Sequence, residues 1–254
     1  MINNTRFKII VPFYNVERWI KVCVQSIKKQ IYNNFHCVLV DDHSTDSTVS
    51  IVENLIKGDD RFELFSNPEE KNTGALGSIY YGTEYSKSSD EDVIVILDGD
   101  DWFSGLDTLQ KLHDVYAEKD CWMTYGSYVE FPRGKRGKFS KQIPKEVIEK
   151  RIFRQSEWMS SHLRSYKYKL WRLIKKEDLT NSEGRFYPMA GDVAIMIPLL
   201  EMAGTKSQFI EDILLVNNRV NPNNEDKVNH SLQLSIVQEI RSKKRYPLLE
   251  YMID

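Results

Sequence analysis

The sequence lacks the apolar segments that would place it in or across a membrane. No stretch approaches the roughly 18 consecutive apolar residues that a membrane-spanning helix requires. The first fifteen residues lead directly into a predicted strand, without the apolar region of a secretory signal. We therefore expect a soluble, cytoplasmic protein with no transmembrane segment, and peripheral association with a membrane is left open.

A metal or redox pattern of cysteines and an excess of either charge are also missing. Cys23, Cys37 and Cys121 lie in apolar patterns without C-x-x-C spacing, so we predict buried, reduced side chains. The 35 Lys and Arg residues nearly balance the 37 Asp and Glu residues, which gives no argument for a nucleic-acid partner. The sequence also contains no internal repeat and no low-complexity tract.

What the sequence does contain is a regular alternation of strand and helix patterns. Apolar runs typical of strands are FKIIVPF, FHCVLV, RFELFS, VIVIL and CWMTY. Between them lie amphipathic helix patterns, such as the apolar stripe from Val16 to Ile31 and the segment VSIVENLI. This alternation predicts a Rossmann-like α/β fold with a mainly parallel sheet flanked by helices. Ligands in such sheets bind beyond the carboxyl ends of the strands.

After residue 130 the pattern is less regular. The segment RGKRGKFSK, residues 133–141, has five basic residues and indicates either a surface loop or a loop that orders on a phosphate or an acceptor. Further along, AGDVAIMIPLLEMAG predicts an apolar helix, SQFIEDILLVNN two short strands, and residues 225–242 a C-terminal helix. Because there is no clear linker, we expect one domain over residues 1–254.

The segment VIVILDGDDW, residues 93–102, sets three carboxylates at the end of a buried strand. Asp98, Asp100 and Asp101 have no basic neighbour in the sequence, and two charges about 5 Å apart repel by about 3 kcal/mol at an effective dielectric of about 20. The cluster must therefore be protonated, solvated or matched by a cation. Oxygen ligands suit Mg²⁺ or Mn²⁺, whereas zinc favours the histidine or cysteine that this stretch lacks. We take Asp98 and Asp100 as the first choice of ligand pair, and a solvated turn with Asp101 capping the next helix is the alternative.

Other polar segments follow the predicted strands and should reach the same edge of the sheet. In chain order the strand ends carry PFYN, DDHSTD, SNPEEKNTG and DGDD. Because the carboxyl ends of parallel strands meet at one edge, we expect Pro12, Tyr14, Asp42, Asn72 and the three aspartates to share one crevice.

Four motifs in this order resemble those of family 2 of the glycosyltransferases. They are IIVPFYN, LVDDHSTDST, NTGALGSIYYG and VILDGDDW, and SSHLRSYKYKLW, GDVAIMIPLLEMAG and NPNNEDKVN extend the resemblance over most of the chain. The resemblance implies the GT-A fold, with a nucleotide-sugar-binding half over residues 1–125 and an acceptor-binding, catalytic half over residues 126–254. It implies metal-dependent transfer, with Mn²⁺ or Mg²⁺, of a sugar from a nucleotide-diphosphate donor to a hydroxyl acceptor such as a glycan, with inversion at the anomeric carbon.

The resemblance also implies roles for individual residues. Those implied to bind the donor are Pro12, Tyr14, Asp42, Asn72, Gly74, Asp98, Gly99 and Arg164, and those implied to hold the metal are Asp98, Asp100 and Asp101. Pro12 and Tyr14 would form a wall for the base, while Asp42 would accept a hydrogen bond from the uracil ring nitrogen, which favours UDP. Asn72 and Gly74 would let the backbone approach the nucleotide, and Arg164 would reach the pyrophosphate. Each of these residues also has an ordinary packing, turn or surface interpretation.

Two positions in the catalytic half depart from the pattern of the family. Asp192 is the implied base that deprotonates the acceptor hydroxyl, but Gly191 stands where the family usually has glutamate. A plain helix N-cap explains Asp192 nearly as well. In NPNNEDKVN, Asp226 stands where relatives often have a histidine, and its role as a metal ligand is left open. His162 would either help to bind the acceptor or simply pack.

Three other functions share some of these features. A transferase fold that has lost activity would bind a nucleotide sugar without turnover, and the departures at Gly191 and Asp226 favour it. A phosphatase with a D-x-D nucleophile would explain Asp98 and Asp100, but such enzymes normally open their domain with that motif. A phosphate-accepting receiver domain also needs paired acids and Mg²⁺, but here a whole additional strand and helix separate Asp42 from Asp98.

Overall fold

The structure, a computed structural model, describes residues 4–222 and 229–251. The strands are β1 (Phe7–Phe13), β2 (Phe35–Asp41), β3 (Phe62–Ser66), β4 (Val93–Ile96), β5 (Trp102–Phe103), β6 (Met123–Phe131), β7 (Lys135–Arg136), β8 (Arg164–Lys167) and β9 (Ser207–Asn218). The helices are α1 (Ile20–Lys28), α2 (Thr48–Ile56), α3 (Gly74–Tyr85), α4 (Thr108–Glu118), α5 (Lys145–Lys150), α6 (Tyr168–Trp171), α7 (Gly191–Ala203) and α8 (His230–Ser242). The strands form one sheet in the order β3-β2-β1-β4-β8-β6-β9-β5, with β7 paired to β6.

The N-terminal half builds the parallel part of this sheet. β1 pairs in parallel with β2 and β4, and β2 pairs in parallel with β3. All seven residues of β1 are buried, as expected for an apolar strand covered on both faces. Because successive side chains point to opposite faces, Ile9 packs in the cluster with α1, while Ile10 packs in the cluster with α3 and α7. The predicted alternation of strands and helices is confirmed in this half.

Beyond β4 the sheet is mixed, which the sequence pattern did not predict. β8 pairs antiparallel with both β4 and β6. The segment SQFIEDILLVNN is the single strand β9, which pairs in parallel with β6 through register shifts around Ser127. Such shifts are typical of a β-bulge. They let one continuous strand contain the interruption in the apolar alternation that suggested two strands. The prediction of two short strands is therefore wrong.

Helix α7 is buried along almost its whole length and connects the second half of the core to the C-terminal helix. The fully buried Glu201 of α7 accepts hydrogen bonds from Nε and Nη2 of Arg154 at 2.7 and 2.9 Å. Nη1 of Arg154 also donates to the carbonyl of Ile240 at 2.6 Å. This bidentate ion pair fixes α8 against α7.

The structure of the C-terminal helix and the burial of the cysteines agree with the predictions from the sequence. α8 begins at His230 after Asn229, whose side chain accepts a hydrogen bond from Leu232 N. Residues 225–228 of the predicted helix lie outside the described residues. The three cysteines are buried free thiols, as predicted. Within residues 4–222 and 229–251, no helix has both the length and the apolar character needed to cross a bilayer.

Candidate functional site

The carboxyl ends of β1, β2 and β4 meet at one edge of the sheet. Gly99 N, just after β4, donates to the carbonyl of Pro12 at 3.0 Å, and Asp42 N, just after β2, donates to the carbonyl of Phe13 at 3.0 Å. A Cβ added at Gly99 would lie 2.6 Å from the Cβ of Phe13, which accounts for a glycine between two aspartates. Tyr14 follows as an exposed side chain at the rim. The structure therefore gathers these residues where the sequence predicts a crevice.

The Asp42 carboxylate is buried and already accepts hydrogen bonds from other groups of the protein. It accepts hydrogen bonds from Asn67 Nδ2 at 2.6 Å, Thr73 N at 3.1 Å and Gly74 N at 2.8 Å. Asn72 Nδ2 donates to the Asp42 carbonyl at 3.0 Å. Asp42 thus holds the loop before α3, where Gly74 takes a φ of +76° that suits glycine. The predicted hydrogen bond from a uracil nitrogen would have to share these oxygens.

Asp98 is paired with a cation from the other half of the chain. Its Oδ2 lies 3.4 Å from Nη2 of Arg164, which is 66 positions away in sequence. The antiparallel register of β4 and β8 sets Ile96 opposite Arg164, and continuing this register by two residues sets Asp98 opposite His162. Nη2 of Arg164 also lies 3.2 Å from Nδ1 of His162. One buried guanidinium therefore contacts both side chains.

Asp100 and Asp101 are held by asparagines at and beyond the end of β9. Asp101 is only 1% exposed and accepts hydrogen bonds from Asn217 Nδ2 at 3.1 Å and from Asn218 N at 2.8 Å. Asp100 Oδ2 accepts a hydrogen bond from Asn221 Nδ2 at 2.7 Å. Neutral amide donors satisfy the lone pairs of a carboxylate without cancelling its charge. The amide contacts therefore leave the negative charge of the cluster in place.

Burial makes this negative charge unfavourable. Burial raises the pKa of Asp98 above its usual value, an effect that Arg164 opposes and that the charge of Asp192 reinforces. Burial also raises the pKa of Asp101 well above its usual value, and the charges of Asp100 and Asp98 add to this effect. The solvated turn of the alternative interpretation is wrong, because Asp101 is buried. A site of this kind favours a bound proton or a bound cation.

Ligand atoms of Asp98, Asp101 and His162 all lie within 4.8 Å of one another. Within the described part of the chain, this is the one group of three or more His, Cys, Asp or Glu side chains with such spacing. His162 suits a metal because burial, with the help of Arg164, lowers its pKa well below its usual value and keeps the imidazole neutral. Two carboxylates and one imidazole are compatible with Mn²⁺.

This group differs from the pair that the sequence suggested. Asp98 and Asp101 belong to it, but Asp100 lies outside it. The sequence assigned His162 to acceptor binding or packing and missed it as a ligand, because the segment that contains it does not reveal the pairing of β8 with β4. The sequence argument against zinc relied on a missing histidine, and His162 removes that argument.

Asp192 lies half-buried in the first turn of α7. Its Oδ1 accepts a hydrogen bond from Val193 N at 2.8 Å. The N-cap position belongs to Ala190, which has a φ of +58°, so Asp192 is not the plain N-cap of the alternative interpretation. Its charge acts on Asp98, which indicates that the candidate base and the acidic cluster lie near each other.

The two departures in the catalytic half have different outcomes. A Cβ added at Gly191 would lie 3.1 Å from the Cβ of Leu76 in α3, so a larger residue there would require α7 or α3 to shift by a few tenths of an ångström. Asp226 lies outside the described residues.

The basic segment 133–141 forms part of a surface hairpin. β7 pairs with the end of β6, and Nη2 of Arg136 donates to Ser127 Oγ at 2.6 Å. Arg133, Lys135 and Lys138 are exposed. The surface interpretation is confirmed, whereas a role in holding a phosphate or an acceptor stays a prediction.

A groove of about 810 Å³ opens beside the start of α3. Its lining comes from residues 68–74 and from Lys176, Gly184, Arg185, Phe186 and Pro188. It therefore adjoins Asn72 and Gly74, two of the predicted donor residues, and the segment that leads into α7.

Comparison with known proteins supports the resemblance seen in the motifs. The model of glycosyl transferase family 2 matches residues 8–180. A glycosyltransferase of Haemophilus influenzae with no characterised function is 33% identical over 126 residues, 50% of this chain and 48% of that protein. The GalNAc(5)-diNAcBac-PP-undecaprenol beta-1,3-glucosyltransferase of Campylobacter jejuni is 32% identical over 148 residues, 57% of this chain and 44% of that protein. The chain thus spans about half the length of the curated relatives that it matches.

Solved structures share the fold. S. aureus TarS 1–349 in complex with UDP-GlcNAc aligns with a TM-score of 0.65 at 16% identity, over 97% of this chain and 69% of that one. The mannosyltransferase PcManGT from Pyrobaculum calidifontis, in complex with GDP-Man and Mn²⁺, aligns with a TM-score of 0.62 at 20% identity, over 95% of this chain and 66% of that one. The α/β fold predicted as GT-A is confirmed.

Proposed function

Because the chain belongs to glycosyl transferase family 2, we propose that it transfers a sugar from a nucleotide-diphosphate donor to a hydroxyl group of an acceptor. The observation that carries this proposal is the cluster of Asp98, Asp101 and His162 near Asp192, at the carboxyl end of β4. Breaking a sugar–phosphate bond leaves extra negative charge on the diphosphate, and a cation at this point would stabilise it. We further propose that residues 1–254 act as one domain, with the donor bound by residues 1–125 and the acceptor by residues 126–254.

We expect the donor to be a UDP-sugar bound over the ends of β1 and β2. Pro12 and the exposed ring of Tyr14 would form one wall for the base. Asp42 would act mainly by holding Asn72 and the start of α3, where Gly74 lets the backbone approach the nucleotide. TarS was solved with UDP-GlcNAc and PcManGT with GDP-Man, which supports a nucleotide-sugar donor and leaves UDP as the more specific part of the proposal.

The acidic cluster fits a divalent cation, and we propose Mn²⁺ or Mg²⁺. Asp98, Asp101 and His162 would hold the ion, with Asp100 close by and Gly99 allowing β4 to approach β1. When bound, such an ion would supply Lewis-acid chemistry and would stabilise the negative charge of the departing diphosphate. PcManGT was solved in complex with GDP-Man and Mn²⁺, which supports this choice.

Asp192 is the proposed base. In the transfer step the acceptor oxygen forms a bond to the anomeric carbon while the bond from that carbon to the diphosphate oxygen breaks. The hydroxyl proton passes to the Asp192 carboxylate, whose Oδ1 already accepts from Val193 N, so that Oδ2 is the oxygen expected to take the proton. Attack on the face opposite the leaving group inverts the anomeric configuration.

For the acceptor we propose a hydroxyl-bearing glycan on that side of the groove beside α3 which Lys176, Gly184, Arg185, Phe186 and Pro188 line. The groove adjoins Gly74 on the donor side and Pro188 at the segment that leads to Asp192. The Campylobacter jejuni relative is named a GalNAc(5)-diNAcBac-PP-undecaprenol beta-1,3-glucosyltransferase, which supports a glycan as the acceptor.

A screen of UDP-, GDP- and dTDP-sugars by thermal shift, with and without Mn²⁺, tests the proposal. We expect a UDP-sugar to raise the melting temperature only when Mn²⁺ is present, and slow release of UDP to follow as water replaces the acceptor. The Asp192→Asn variant should keep the thermal shift and lose the release of UDP. Binding without any turnover would indicate the inactive nucleotide-sugar-binding module instead, and absence of binding to every donor would refute both.

A further inference from the structure

Arg164 contacts the same side chains that form the candidate cation site. Its Nη2 lies 3.4 Å from Asp98 Oδ2 and 3.2 Å from His162 Nδ1. Ligand atoms of these two residues and of Asp101 lie within 4.8 Å of one another. A divalent ion held by this group would lie within a few ångströms of the guanidinium, where like charges repel strongly. We take Oδ2 of Asp98 and Nδ1 of His162 as the ligand atoms, and with this assignment the guanidinium and the ion compete for one position.

The guanidinium of Arg164 also makes fewer and longer hydrogen bonds than a buried cation requires. The side chain is buried, with 7% of the residue exposed, yet its Nε has no hydrogen-bond partner in the part of the chain that the structure describes. The distance of 3.4 Å to Asp98 exceeds the 2.7–2.9 Å, approximately, of a good charge-assisted hydrogen bond. A buried donor without a partner is unfavourable. The contact between Arg164 and Asp98 is thus weak enough to be exchanged.

We propose that His162 is the third protein ligand of the cation site and that Arg164 is an internal counter-ion which the cation displaces. This inference rests on the proposed function, because it assumes that a divalent ion takes part. Without the ion, the positive charge of the guanidinium neutralises the carboxylate of Asp98 and reduces its repulsion by the carboxylates of Asp100 and Asp101. When the ion enters, it takes over Asp98 and His162, and the guanidinium leaves them.

The displaced guanidinium then has a role in binding the donor. It needs a new anionic partner, and the diphosphate of the donor offers one beside the ion. The diphosphate contact predicted for Arg164 from the sequence would therefore form only after the ion is bound. Metal and nucleotide should consequently strengthen each other's binding, by the same factor in both directions.

Titration with Mn²⁺ alone, followed by the EPR signal of the free ion, tests the displacement without any turnover. In Arg164→Met and Arg164→Gln we expect the Mn²⁺ Kd to fall by about tenfold, because a competing positive charge is removed. The same variants should bind the UDP–Mn²⁺ pair more weakly than the wild type. Arg172→Met, which removes an exposed arginine paired with Asp90, is the matched control and should leave both affinities unchanged.

The role of His162 has its own spectroscopic test. Wild-type protein with Mn²⁺ should show the nitrogen modulation of a coordinated imidazole in pulsed EPR. His162→Gln should lose this signal and weaken Mn²⁺ binding by about tenfold or more. His113→Gln should keep both, because His113 stacks on Tyr32 and bonds to Thr5 at the opposite end of the strands.

The outcomes separate this inference from the proposed function. If wild-type protein binds Mn²⁺ and the Arg164 variants bind it no more tightly, the displacement is refuted while the metal-dependent function stands. If the imidazole signal is missing or survives in His162→Gln, His162 is not a ligand. If neither the wild-type protein nor any variant binds Mn²⁺, with or without a nucleotide, the metal is removed from the proposed function and this inference fails with it.

Discussion

Replacing Asp42 by asparagine distinguishes two possible roles of Asp42. It either holds the loop of the donor site in place or binds the base directly. Asn67 Nδ2, Thr73 N and Gly74 N all donate to the Asp42 carboxylate. Asp42→Asn keeps the shape of the side chain but removes its charge and turns one acceptor into a donor. The loop before α3 should therefore loosen even when no nucleotide is present.

The expected loss of stability follows from these three hydrogen bonds. A hydrogen bond to a charged group contributes about 2 kcal/mol and a neutral one about 1 kcal/mol, so three of them should lose about 3 kcal/mol in the free energy of unfolding. For a chain of this size, about 3 kcal/mol corresponds to a fall of about 6–12 °C in the melting temperature. Urea unfolding and calorimetry of the ligand-free protein measure both quantities.

Asp41→Asn is the matched control for this experiment. Asp41 is also buried, but its carboxylate accepts a hydrogen bond from Ser44 N only, among the residues described, at 3.0 Å. Its replacement should cost about 1 kcal/mol. If Asp42→Asn instead melts within about 2 °C of the wild type, which is less than 1 kcal/mol, and loses UDP binding, Asp42 reads the base directly and the reasoning is refuted.

Three further predictions address the catalytic half. Asp192→Asn should lower sugar transfer by at least about a hundredfold while donor affinity by calorimetry stays unchanged; unchanged transfer would remove Asp192 as the base. Glu201→Gln should lower the free energy of unfolding by about 3–5 kcal/mol in urea, because Arg154 keeps an uncompensated buried charge. Gly191→Glu, which restores the usual family residue, should lower stability by about 1–3 kcal/mol through the contact with the Cβ of Leu76; a higher melting temperature in Gly191→Glu would contradict the packing argument.

The parallel half of the fold could be predicted because its signals are local. The strands β1, β2 and β4 are apolar runs whose side chains are mostly buried, and the amphipathic helix α1 buries one apolar stripe. The short strands β5 and β8, with two and four residues, are too brief to show a period of their own. Their places are set by pairing with β9 and β4, which depends on the whole fold.

The candidate site also contains residues that the sequence could locate and residues that it could not. Pro12, Asp42 and Gly99 directly follow apolar strands or lie within their ends, so the rule for the carboxyl ends of parallel strands finds them. His162 arrives through the register of an unpredicted strand, and Asn217 arrives at the end of a strand predicted as two. Positions that depend on long-range pairing cannot be read from local patterns, so the sequence could locate the acids of the site but could not show that His162 and Asn217 lie beside them.

The turn after β4 explains why the candidate cation group contains Asp101, whereas the spacing of the acids suggested the pair Asp98 and Asp100. Asp101 N donates to the Asp98 carbonyl at 2.9 Å, so residues i and i+3 of a tight turn are joined here. This turn brings the carboxylates of Asp98 and Asp101 to one group with His162, while Asp100 faces Asn221. The amide groups that hold Asp101 belong to β9 and cannot leave without moving that strand, whereas the guanidinium beside Asp98 is the end of a long side chain. Asp98 is therefore the point at which a cation can enter the cluster, and Asp101 is the carboxylate that keeps the cluster in place while it does.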